Sequence, residues 1–184
     1  MQLSALLIPT YRHMLVMLKG LLDKTVSQVG REKAQDLLSA RLAPDMYPLS
    51  SQIRFVSLQA QEAVYRLMGE AVPAYLNVVA EEGRHGDDQP GTMATAMFRL
   101  DEAIACLDRM CGIVMDAGEE RLISIELPEG VIFDLNGMEY IRDWALAQFY
   151  FHVVTAYAIL RKEGIEIGKA DYVPHMLAYL RSMP

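Results

Sequence analysis

Cysteine is scarce in this chain: Cys106 and Cys111 are the only two among 184 residues. Their C-x4-C spacing is neither a redox C-x-x-C pair nor a zinc knuckle, and residues five apart do not stack on one helix face. Two reduced, mostly buried thiols are expected. A glycine-rich phosphate loop, a nucleophile elbow and an H-E-x-x-H motif are all missing, and with them the sequence signatures of P-loop, α/β-hydrolase and zincin chemistry. Basic residues are outnumbered, 17 Lys and Arg against 24 Asp and Glu, which leaves a net charge of −7. A general nucleic-acid binder would carry a basic face instead. No apolar run reaches the roughly 18–20 residues of a transmembrane helix. Met1 is followed by Gln, Leu and Ser, with no basic leader and no small-residue cleavage site. The expectation is a cytoplasmic protein with no membrane partner. Repeats, low-complexity tracts and linkers are missing too, so residues 1–184 are expected to form one domain.

What is present is a globular composition, 52% apolar and 22% charged, in a chain long enough to bury a full core. Twelve methionines point to adaptable packing. In residues 4–28, Leu7, Tyr11, Met14, Leu15, Leu18, Leu21, Leu22 and Val26 recur at three- and four-residue steps, the mark of a helix. Pro9 falls near its start, and Gly30 is a stop signal. A short helical piece over 31–39 precedes ARLAPDMYPLS at 40–50, whose two prolines mark an ordered connection. A second helix is expected from Pro48 to Met68, with Ile53, Val56, Ala60, Ala63, Val64 and Leu67 as its apolar stripe. Residues 69–91, with their charged EEGRHGDDQPG tract, look like a solvated loop.

Helical spacing returns over 92–115. The period then shortens to alternation in 121–127 and 131–135, flanking Pro128-Glu129-Gly130, which predicts a small hairpin. Asn136-Gly137 closes it and opens a last long helix to Lys162, stopped by Gly164. A short helix from Pro174 is expected in the tail. Four long helices, one long crossover and an interrupting hairpin make an all-α four-helix bundle.

The last long helix carries the most informative stretch. Trp144–Leu160 runs seventeen residues without a formal charge, yet holds Gln148 and His152 four apart, on one helix face. Polar groups in an apolar helix need partners or pay a desolvation cost. His152 lies among Phe149, Tyr150, Phe151 and Tyr157. Burial there would keep its imidazole neutral, fit to ligate a metal or accept a proton. The plain alternative is a core histidine hydrogen-bonded to a tyrosine, an aspartate or backbone. His13, His85 and His175 are expected at the surface.

The pattern ARLAPDMYPL, followed a hundred residues later by QFYFHVVTAYAILRKEGIEIGKADY, resembles a bacterial family of unknown function in the DinB/YfiT-like superfamily. The resemblance covers nearly the whole chain. It implies a DinB-like four-helix bundle, often dimeric, so a homodimer is expected. Many members hold a divalent metal through three histidines, one on the second helix and two at i, i+4 on the last, and characterised relatives include thiol-dependent transferases and an isomerase. Counted back from Leu160-Arg161, the second of the paired positions is His152. The first falls on Gln148, and the second-helix position falls near Gln52.

One histidine of three therefore remains, and amide oxygens are poor ligands for zinc. No cofactor is expected on this pattern. A zinc or nickel ion at His152 would need help from a residue such as Asp45. Two functions compete. One is a bundle with a degraded metal triad that binds a small molecule between helices, its pocket lined by Asp45, Tyr47, Gln52, Gln148, His152 and Tyr157. The other is a divalent-metal-dependent transferase or hydrolase using His152. Arg41 and Asp45 are also expected to form an ion pair that pins the connection.

Overall fold

Apolar residues at helical spacing carry most of the chain into helices. The computed structural model describes residues 3–181 except 114, 128 and 129. α1 spans Leu3–Val29, with Pro9 inside it rather than at its first turn. α2 (Arg31–Asp36) runs into a 3-10 turn at Leu37–Ser39. α3 covers Leu49–Met68 after Pro48. α4 (Ala74–Arg84) and α5 (Met93–Arg109) follow. β1 (Ile123–Glu126) and β2 (Ile132–Leu135) form a two-stranded antiparallel sheet, with Ile123 opposite Leu135 and Ile125 opposite Phe133. Pro128 and Glu129 of the expected turn lie outside the described residues. α6 (Gly137–Glu139) leads through a π turn at Tyr140–Ala145 into α7 (Leu146–Lys162). α8 (Lys169–Tyr172) and a 3-10 turn at Pro174–Tyr179 end the described fold.

α3 is the central element and packs against α4, α5 and α7, while α1 lies on α5 and α7. Its whole expected stripe, from Ile53 to Leu67, is buried. The helices close over one hydrophobic cluster that also takes in Ile123 and Ile125 from the sheet. Among the described residues no helix is long and apolar enough to cross a membrane.

Three features differ from the sequence expectation. Residues 74–84 are helical, not a solvated loop. Leu76, Val79, Ala80 and Gly83 make a short buried stripe beneath the charges, and Pro73 precedes the first turn. The helix expected over 92–115 stops at Arg109, so Cys106 is buried and Cys111, beyond the helix end, is exposed. The long helix to Lys162 contains a π turn. Its wider i→i+5 spacing lets Tyr140 and Ala145, five apart, both face the core.

One close approach and one capping box set how the hairpin meets the bundle. A Cβ on Gly137 would come within 1.9 Å of the Gly118 carbonyl, so only glycine fits there. Asn136 Oδ1 accepts from the Glu139 N–H and Glu139 Oε2 accepts from the Asn136 N–H, each at 2.9 Å, a capping box that opens the last helical run.

Candidate functional site

The first turn of α3 faces the middle of α7, and that contact brings Gln52 to His152. Gln52 is buried and His152 partly so. His152 Nδ1 lies 2.8 Å from Gln52 Oε1. Gln52 Nε2 donates to the Tyr47 carbonyl at 3.0 Å. A carbonyl can only accept, so the amide must present its N–H₂ to Tyr47 and its oxygen to the ring. The histidine is then the Nδ1–H tautomer, and Nε2 keeps a lone pair. Nε2 has no hydrogen-bond partner among the described residues.

Burial lowers the His152 pKa from 6.5 to about 4. The bond to Gln52 survives protonation, because an imidazolium also donates from Nδ1. Desolvation of the charged ring is therefore what keeps it neutral. A base that weak is a poor proton acceptor in catalysis near neutral pH, where the best bases titrate near 7. It remains a good hydrogen-bond acceptor.

Aromatic rings hold this imidazole in place. Phe55 lies 5.0 Å from it, centroid to centroid, and Phe151 packs edge-on at 5.3 Å. Phe55 also meets the Tyr47 ring at 5.2 Å. Its other contact is with α4: a Cβ on Gly83 would fall 2.6 Å from the Phe55 ring. The same phenyl lines an open cleft of about 580 Å³ with Arg84, Glu126 and Leu127. Phe55 and Gly83 were not apparent as site residues in the sequence. A phenylalanine on an apolar helix looks like core, and Gly83 sat in a segment that reads as loop.

The expected pocket residues divide. Tyr47, Gln52 and His152 are linked directly. Gln148, one turn before His152, is partly buried with no hydrogen-bond partner among the described residues. Tyr157 belongs to a different neighbourhood, edge-on to Tyr172 at 5.7 Å and lining a depression with Val154, Lys169 and Tyr172. Asp45 is exposed and makes no ion pair or hydrogen bond among the described residues. The expected Arg41–Asp45 pair does not form: Arg41 meets Asp87 at 2.7 Å instead. The longer reach across to the α4–α5 loop satisfies the guanidinium, and Lys162 Nζ donates to the Arg41 carbonyl at 2.6 Å. The connection is thus tied to both α7 and that loop.

Of the other histidines, His85 is exposed near Glu81. His13 and His175 stack at 4.7 Å with planes 5° apart, and His175 Nδ1 is buried without a partner.

A divalent metal fits this donor set badly. His152 Nδ1 is held by an amide oxygen, and the neighbouring polar groups are glutamines, weak ligands for zinc or nickel. Among the described residues no group of three or more His, Cys, Asp or Glu side chains is placed to hold a metal ion.

The family described as "Domain of unknown function (DUF1993)" has a model that matches residues 3–173. The chain belongs to that family. Its fold is similar to the crystal structure of a DinB family member protein from Shewanella denitrificans, at 29% identity and a TM-score of 0.71. That similarity covers 99% of this chain and 93% of the other. No curated protein matches it. This DUF1993 chain is therefore a mostly helical, DinB-like bundle with a small antiparallel hairpin.

Proposed function

We propose that the protein binds a small organic molecule beside His152 and holds it by hydrogen bonds, with no metal ion. The observation that carries this is the chain from the Tyr47 carbonyl through Gln52 to His152 Nδ1, which fixes the tautomer and leaves Nε2 free to accept. Aromatic walls from Phe55 and Phe151 supply apolar surface for the rest of a ligand, and the cleft beside Phe55 adds the charged side chains of Arg84 and Glu126. Gln148 adds an uncommitted amide on the same face of α7 as His152. In an ancestral metal site, Gln52 and His152 would meet through the metal. Here they meet directly.

The test is elemental analysis of protein purified without chelator, paired with native mass spectrometry. The expected result is no stoichiometric metal and a bound organic mass that is lost in His152→Ala. One zinc, nickel or iron per chain that disappears in His152→Ala would sink this reading and favour a metal-dependent transferase or hydrolase.

We also propose a homodimer through the outer face of α7. Tyr150, Phe151 and Val154 lie at 37%, 56% and 48% exposure on a helix with no charge from Trp144 to Leu160, an apolar patch of the kind that marks protein contacts.

A further inference from the structure

Away from His152, the end of α1, α2 and the start of α5 border a second, half-open pocket of about 420 Å³, lined by Val26, Arg31, Gln35, Met93, Ala94 and Met97, with Arg31 and Ala94 exposed at its rim. We propose that this pocket binds a small amphipathic carboxylate, with Arg31 pairing the head group and the two methionines taking the apolar tail.

Its size falls in the range of ligand sites, and its lining is chiefly apolar with few polar groups. Of those polar groups, Gln35 is engaged by backbone at both its nitrogen and its oxygen. Its Nε2 donates to the Gly91 carbonyl at 2.7 Å and its Oε1 accepts from the Met93 N–H at 2.9 Å. Gln35 therefore builds the wall and fixes the entry to α5. Arg31 is different. It makes no ion pair or hydrogen bond among the described residues. Most other arginines of this acidic chain sit on a carboxylate, among them Arg12, Arg41, Arg54, Arg66 and Arg99.

A guanidinium has a planar fork of donors that matches a carboxylate bidentately. The pocket also takes in Met93 and Ala94, the first two residues of a 17-residue helix, so the positive end of the α5 dipole adds to the attraction for an anion. Met93 and Met97, one turn apart and half-buried, offer flexible, polarisable surface that adapts to an alkyl chain. The ligand class follows from the two halves of the lining: one negative charge and a short apolar body.

Octanoate is a suitable probe, with protein labelled at the methionine methyls and followed by NMR. Saturable shifts are expected at Met93 and Met97, assigned with the Met93→Leu and Met97→Leu variants. Arg31→Gln should weaken octanoate binding by about tenfold or more, the loss of one charge-assisted contact, and octanol should bind more weakly than octanoate. Ala94→Trp should block the pocket while the remaining methionine signals keep their native positions. Absence of saturable shifts at Met93 and Met97 would overturn the proposal. So would equal octanoate affinity in Arg31→Gln, or octanol binding as tightly as octanoate. These readouts do not involve His152, so they stand apart from the fate of the first site.

Discussion

His152 shows how burial decides the chemistry of a side chain. A histidine at pKa 6.5 would be partly charged near neutral pH, whereas burial takes this one to about 4. The consequence for stability has a definite sign. The unfolded chain takes up the proton near pH 6.5 and the folded chain only near pH 4. Stability is therefore fully present above the unfolded value and declines as pH falls through that window. The shift corresponds to a loss of about 3 kcal/mol once the pH lies below the folded value. Denaturant unfolding of the native protein and of His152→Gln at closely spaced pH values should show a shallower decline in the variant. An NMR titration placing His152 near 6.5, or identical slopes in the two proteins, would contradict this account.

At the scale of elements, one charged cluster ties α4 to α3 and α5 above its buried apolar stripe. Arg54, only 3% exposed on its side chain, reaches Glu82 of α4 at 3.3 Å. Glu82 also takes Arg99 of α5 at 2.6 Å, and Arg99 in turn meets Glu102. Arg54 Nη1 donates to the Ser50 carbonyl at 2.9 Å, one turn back on α3. The Arg99 hydrogen bond, with the Arg54 charge behind it, holds the Glu82 carboxyl below its ordinary range. Removing the carboxylate strands a buried guanidinium, whereas removing Arg54 leaves Glu82 still paired with Arg99. Glu82→Gln is thus expected to cost about 3 kcal/mol. Arg54→Met, apolar and of similar length, should cost less. Chemical denaturation of the two variants decides the matter, and an equal or reversed order would show that the cluster does not carry the α3–α4–α5 contact. The same cluster explains why α4 was illegible. Its partners lie 28 and 17 residues away in sequence, and its local composition, rich in charge and glycine, reads as loop.

For the whole molecule, the arrangement of α7 matters most. Its inner face carries Phe149, Val153, Ala156 and Leu160 into the core, while Tyr150, Phe151 and Val154 stay outside. If that outer face meets a second copy, light scattering should give a dimer mass for the native chain. Val154→Glu, an exposed position, should shift the mass towards monomer with unchanged helix content. A monomeric native protein, or a dimer indifferent to Val154→Glu, would remove α7 as the interface.

By itself the sequence determined the bundle. The periodic stripes of α1, α3, α5 and α7, the prolines around 44–48 and the alternation in β1 are local signals, because hydrophobic spacing and turn chemistry act within a few residues. It also singled out His152, Gln148 and Gln52 through the resemblance. Only the tertiary structure decided what those residues do. The bond from Gln52 to His152 spans 100 residues, and the rings of Phe55 and Phe151, the gap left by Gly83 and the departure of Tyr157 and Asp45 to other surroundings all depend on how distant helices pack. Burial and partner choice are properties of packed helices, and so is the neutral, tethered histidine on which the proposed function rests.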